Sequence, residues 1–179
     1  QRQMCIRDRH TIDRLLTVAE KEKCDIVQCQ FFRFETVIPE EKIQSEVRGI
    51  SSEEALTKID DADYMAAWNK IYRSSLFKNI RFPNGKIHED VGCTYKLFHI
   101  SNKIMVIQDE LYGYYVNPDS ITTSKIKLNK LDLLDAYEEQ MIYFDKMGLE
   151  KNKISSANNL AASFGTLLSY DYKRYEDYD

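Results

Sequence analysis

The chain has 179 residues, 43% of them apolar, which suits one ordinary domain with a real core. Lysine and arginine number 25 against 29 acids, a net charge of −4, so there is no broad basic surface, which excludes nucleic acid as a main partner. The four cysteines (Cys5, Cys24, Cys29, Cys93) form no Cys-x-x-Cys pair and sit beside no histidine cluster, which argues against a zinc site or a disulfide framework and for a reducing compartment.

The opening residues 1–9, QRQMCIRDR, show no apolar period and are expected to be a non-native leader. No run approaches the roughly 18 apolar residues of a membrane span, and no signal peptide is visible. Ile12, Leu15, Leu16 and Ala19 then mark one face of a helix ending near Lys23. DIVQCQFFRF (25–34) reads as a buried strand with Val27, Cys29 and Phe31 on one side. Residues 35–50 are polar, carry Pro39 and Gly49, and read as a connection. Ser51 and Glu54 form a capping box for a short helix through about Ile59, and Asp60 to Asp63 is a charged break. A short strand or turn is expected at Trp68 and a short helix from Ser74. Pro83 and Asn84-Gly85 predict a turn.

A further helix is expected to begin at His88 to Asp90 and to continue through Val91, Tyr95 and Phe98. KIMVIQ and LYGYYV read as two strands separated by Asp109-Glu110, and Asn117, Pro118 and Asp119 as a turn. Leu131, Leu134, Tyr137, Met141 and Phe144 mark a long amphipathic helix stopping at Gly148. Ala157, Leu160, Ala161, Phe164 and Leu167 mark a last helix with a frayed tail. Alternating strands and helices followed by a helix pair predict an α/β fold with a helical C-terminal appendage.

Three polar clusters could carry chemistry. His88-Glu89-Asp90 would open a helix, where the macrodipole favours ionised carboxylates. Such an Asp could accept a proton from an attacking hydroxyl. From spacing alone, Glu89 and Asp90 read first as caps of that helix. The only tryptophan lies in Trp68-Asn69-Lys70-Ile71-Tyr72. An aromatic beside amide and cationic groups suits a sugar, and a core tryptophan flanked by surface polar groups is the alternative. Tyr112, Tyr114 and Tyr115 precede Asn117-Pro-Asp-Ser120-Ile-Thr122, and alternating tyrosines usually pack on a sheet. His10 and His99 are lone surface histidines.

The order of these segments, AAWNKIYRSSLFKNIRFPNGKIHEDVGCTYKLF and then LYGYYVNPDSIT, resembles the C-terminal half of family 2 glycosyltransferases. These enzymes build capsules and other bacterial surface polysaccharides. In that family a W-N-K-x-Y segment, an F-P-x-G turn, an E-D pair and a Y-x-Y…S-I-T run stand at similar spacing. The resemblance covers about residues 10–125, with 126–179 as the helical appendage. It implies the C-terminal part of a GT-A domain, Rossmann-like with a mixed sheet. The implied activity is hexosyl transfer from a nucleotide-sugar donor to a hydroxyl of a glycan or lipid-linked acceptor, with inversion.

By the resemblance, Asp90 is the catalytic base and Glu89 orients it or the acceptor. Trp68, Asn69, Lys70, His88 and Tyr114 would line the acceptor side. A divalent cation, Mg²⁺ or Mn²⁺, would be held by a D-x-D motif that this chain lacks. Asp61-Ala-Asp63 has the letters but follows the strand and loop, and is not that motif. The donor half is therefore expected to lie outside this chain, leaving the chain inactive alone and one sheet edge uncovered. A cytoplasmic location, at the inner membrane face where lipid-linked acceptors sit, is expected. The alternatives are a non-catalytic glycan-binding module and an interaction scaffold built on the C-terminal helices.

Overall fold

The computed structural model describes the backbone of residues 5–7, 10–37, 44, 46–116 and 131–176, with side chains from 10 to 169. Two compact units divide the chain. One comprises residues 1–81 and 94–123, the other residues 82–93 and 124–179.

In the first unit, α1 spans Thr11–Glu22 and ends on Lys23, whose left-handed φ of 49° closes the last turn on the Ala19 carbonyl. Strand β2 (Ile26–Phe34) follows, as its β-branched and aromatic content predicts. The expected connection at 35–50 contains a strand, β3 (Val47–Ile50). It is exposed for three of its four residues, so no apolar alternation announced it. Its register comes instead from pairing with Ile104–Ile107. Helix α2 (Ser52–Thr57) starts as expected, with Ser51 Oγ accepting the Glu54 N–H at 3.0 Å. The charged break at 60–63 holds a one-turn helix, α3 (Ala62–Met65). Strand β4 (Lys70–Tyr72) and a 3-10 helix (Ser74–Lys78) complete this region.

The helix expected from His88 begins only at Thr94, as α4 (Thr94–His99). His88 has φ 59°, a left-handed conformation that no α-helix continues through. The two strands expected on either side of Asp109-Glu110 are one, β5 (Ile104–Tyr115). Asp109 does not interrupt it because Arg14 Nε donates to Asp109 Oδ2 at 2.9 Å, and Asp109 is 1% exposed. Thr11 Oγ1 adds a bond to the Leu111 carbonyl at 2.9 Å, so α1 is fixed to β5 at two points.

Among the described residues one mixed sheet forms, in the order β1-β5-β2-β4, with β3 also on β5. Strands β2 and β5 are parallel, with the ladder shifted around Gln30. The other pairings are antiparallel. Strand β1 is Cys5–Arg7, paired with Tyr112–Tyr114. It comes from the opening run that the sequence leaves without any period. Strand β4 ends the sheet and is only three residues long. Leu15 and Val18 of α1 bury against Val27, Cys29, Met105, Ile107 and Leu111. The alternating Ile26, Ile104 and Val106 are equally buried, so both faces of the sheet are covered.

The second unit contains α5 (Asp132–Lys146) and α6 (Glu150–Glu176), which pack on each other. Gly148, at φ 70°, ends the first as expected. The tail expected to fray is helical to Glu176, and residues 177–179 lie outside the described residues, as does the turn at 117–122. No helix among the described residues is long and apolar enough to cross a membrane.

Candidate functional site

The predicted site residues fall in two groups, one in each unit. In the sheet unit, Trp68 sits just before β4. Its indole stacks on Tyr112 at 4.3 Å between ring centroids and on Tyr114 at 5.6 Å. Phe31 meets it edge-on at 4.9 Å. Tyr112 and Tyr114 share a face because they are two residues apart on β5. Tyr112 is buried, whereas Trp68 and Tyr114 are half-buried. The tyrosines do pack on the sheet, as the bland expectation held. They also present an aromatic surface that water still reaches.

The polar ends of Asn69 and Lys70 turn into the chain. Asn69 Nδ2 donates to the Cys29 carbonyl at 2.9 Å and to the Asp63 carbonyl at 3.0 Å. Lys70 Nζ donates to the carbonyls of Asp63 and Ala66 at 2.5 and 2.6 Å, and to Asn69 Oδ1 at 2.7 Å. An ammonium has three donors, and three acceptors meet them. Asn69 is 1% and Lys70 7% exposed. The pair therefore knots the 63–69 segment and seats Trp68, which lies inside that knot. Lys70→Met would take the side-chain donor from the Ala66 carbonyl and the Asn69 amide oxygen, and leave the Asp63 carbonyl with Asn69 Nδ2 in place of two donors. We expect a loss of about 2–4 kcal/mol in denaturant unfolding. Emission from Trp68, the only tryptophan, should shift to the red as its ring leaves the stack.

In the second unit, His88, Glu89 and Asp90 occupy consecutive turns rather than a helix. Gly92 N–H reaches the His88 carbonyl at 3.3 Å and Cys93 N–H the Asp90 carbonyl at 3.1 Å. Glu89 is exposed and Asp90 half-buried. Asp90 Oδ1 accepts the Val91 N–H at 2.9 Å. Burial pushes the Asp90 carboxyl above its ordinary value, and the Glu89 charge adds to that. The Val91 N–H and His88 pull the other way without prevailing. The expectation that a helix macrodipole favours ionised Asp90 is thus overturned, because the residue is not in a helical first turn and desolvation dominates.

This turn is braced from α5. Asp132 Oδ2 accepts the Ile87 N–H at 3.0 Å, and Lys86 Nζ donates to Asp135 Oδ2 at 2.6 Å. Gln140 Nε2 donates to the Val91 carbonyl at 2.7 Å, and Ser156 Oγ of α6 donates to Gln140 Oε1 at 3.0 Å. Gln140 was not among the sequence candidates. Its signal was there: it interrupts the buried stripe Ala136, Tyr137, Phe144 as a polar residue on an apolar face. The left-handed φ of His88 is strain of a kind that collects at functional turns. His88→Gly should relieve it and raise stability by about 0.5–1 kcal/mol, a Tm increase of a few degrees by calorimetry.

A groove of about 410 Å³ lies between α1 and β4, lined by Leu16, Ala19, Cys24, Ile71 and Tyr72 among others. It contains none of the predicted site residues, and Asp25 and Arg73 on its wall pair at 2.8 Å. Among the described residues no three His, Cys, Asp or Glu side chains gather to hold a metal ion.

No protein-family model matches the chain. It is 28% identical over 116 residues to the glycosyltransferase GlyA of Streptococcus pneumoniae, covering 59% of this chain and 17% of that protein. It is 26% identical over 99 residues to the processive diacylglycerol beta-glycosyltransferase of Mycoplasma pneumoniae, covering 54% of this chain and 29% of that one. The S. aureus TarS 1–349 structure in complex with UDP-GlcNAc superposes with a TM-score of 0.56 at 15% identity, over 89% of this chain and 45% of that chain. The chain thus spans less than a third of the curated relatives it matches. The structural likeness supports the α/β fold class.

Proposed function

We propose that this chain is the acceptor-side part of an inverting, family 2-type glycosyltransferase with a GT-A fold, acting in cell-surface polysaccharide synthesis. The observation that carries the reading is Asp90: a half-buried carboxylate whose proton affinity is raised by desolvation, on a strained turn braced by buried polar groups. Two named glycosyltransferases among its relatives support the reaction class.

In this mechanism the acceptor hydroxyl oxygen attacks the anomeric carbon of a nucleotide-sugar as the bond to the diphosphate oxygen breaks. The transition state is oxocarbenium-like. Asp90 takes the proton of the hydroxyl, and the bonding electrons leave with the diphosphate. A carboxylate with raised proton affinity suits that task, since a base works best when its pKa approaches the working pH. Glu89, adjacent and exposed, keeps that affinity high and is available to the acceptor. Trp68 and Tyr114 offer half-buried ring faces to sugar C–H groups, and Asn69 and Lys70 hold Trp68 in place. His88 acts through the turn geometry it imposes.

The resemblance also implies Mg²⁺ or Mn²⁺, which would neutralise the leaving diphosphate. Among the described residues no set of side chains fits such an ion, and no step of the mechanism is routed through it. A cytoplasmic site at the inner membrane face, where lipid-linked acceptors are presented, completes the proposal.

The test is release of nucleotide diphosphate from a panel of sugar nucleotides, with Mg²⁺ or Mn²⁺, by the protein expressed from its full reading frame. Acceptor-dependent release supports the proposal. Saturable oligosaccharide binding without any release would favour a glycan-binding module instead.

A further inference from the structure

The turn that carries Asp90 belongs to the same compact unit as α5 and α6. Those helices are therefore more than an appendage following the site, because they supply the polar groups that hold this turn. Three consecutive hydrogen bonds link them, all within that unit. Ser156 Oγ donates to Gln140 Oε1 at 3.0 Å. Gln140 Nε2 donates to the Val91 carbonyl at 2.7 Å. The same Val91 donates its N–H to Asp90 Oδ1 at 2.9 Å. Val91 is thus gripped on its carbonyl by Gln140, while its N–H grips the Asp90 carboxylate.

The orientation of the Gln140 amide follows from chemistry. A carbonyl only accepts, so Nε2 must face Val91, leaving Oε1 to receive the Ser156 hydroxyl. Gln140 is 1%, Ser156 2% and Val91 3% exposed, so water does not compete for these bonds. A buried, fully satisfied network of this kind has one low-energy arrangement and rigidifies what it touches. A plain packing role would have been met by Leu or Met at position 140, on the stripe shared with Ala136, Tyr137 and Phe144.

We infer that Gln140 is a positioning residue for the base: it fixes Val91, and through Val91 the Asp90 carboxylate, with Ser156 setting its amide. The inference rests on Asp90 being the base, and it assigns the C-terminal helix pair a part in the reaction. The charged groups acting on the carboxylate are Glu89 and His88 on its own turn, while Lys86 of the same segment pairs with Asp132 and Asp135 at the foot of α5.

Gln140→Met keeps the length and removes both hydrogen bonds. Its effect on Asp90 is read without turnover, by following the Asp90 carboxyl carbon by NMR across pH in the 179-residue chain. A loosened turn admits water to the carboxylate, so the titration midpoint should fall toward the ordinary Asp value. Ser156→Ala, a milder change, should move it the same way by less, and serves should Gln140→Met fail to fold. In the protein from the full reading frame, Gln140→Met should lower kcat by about 10- to 100-fold, with KM for the donor unchanged. An unmoved Asp90 titration in the folded variants, or a lowered Tm with unchanged kcat, would overturn the inference and leave Gln140 a packing residue. Asp90→Asn is run beside them: if that variant turns over normally, it is the assignment of the base that fails, whatever Gln140 does.

Discussion

Asp90→Asn should cost about 10²- to 10⁴-fold in kcat and at the same time make the protein harder to unfold. The first effect follows from the role proposed for Asp90 as the base, since an amide does not accept the acceptor proton. The second follows from linkage. In the folded chain burial raises the Asp90 carboxyl above its unfolded value. The native state therefore binds the proton more tightly than the unfolded state does. Whatever Asp90 contributes is fully present below the unfolded pKa and is lost as pH rises through the folded one. Above the folded pKa the fold carries that loss in full. Asn removes it, and its Oδ1 keeps the Val91 N–H that Asp90 holds at 2.9 Å. The check pairs steady-state kinetics with thermal unfolding at pH 4 and pH 7. The stability gain should be larger at pH 7. A variant that is active and no more stable would return Asp90 to a turn-capping role.

The second large effect concerns the fold. Asp109→Ala should destabilise the sheet unit by about 3–5 kcal/mol. Asp109 accepts Arg14 Nε at 2.9 Å and the Gln44 N–H at 3.0 Å. Removing it strands a guanidinium that is 33% exposed, which places the loss nearer the lower figure. For a chain of this size that corresponds to roughly 6–12 °C in Tm. The double variant Arg14→Met with Asp109→Leu should recover most of it, because the cost comes from the orphaned charge rather than from the absence of an ion pair. Urea unfolding of the two variants separates these cases. Equal losses in both would show that the pair itself supplies the stability.

Both effects turn on residues whose partners lie far off in sequence. Arg14 and Asp109 are 95 residues apart, and Val91 and Gln140 are 49 apart. Periodicity does not register such pairs. It reads a stripe of apolar residues against its immediate neighbours, and for that reason it found α1, β2, α5 and α6, the Ser51 cap and the Gly148 stop. Each of these is settled within a few residues, by side-chain entropy, capping or left-handed backbone.

What the sequence by itself determined is therefore the local frame: the alternation of strands and helices, the two-helix C-terminal region, and the turn residues. The order of W-N-K, F-P-x-G and E-D also carried the resemblance to glycosyltransferases. Only the tertiary structure decided the rest. It made β5 one strand, because the Arg14 guanidinium neutralises the buried acid that should have broken it. It made β3 a strand, because β5 offered an edge to an otherwise polar segment. It moved the start of α4 from His88 to Thr94 and reversed the expected sign of the Asp90 shift, because desolvation depends on what surrounds a carboxylate rather than on its neighbours in sequence. And it turned Asn69 and Lys70 inward, since three backbone and amide oxygens converge on one ammonium only after the 63–69 segment has folded round it.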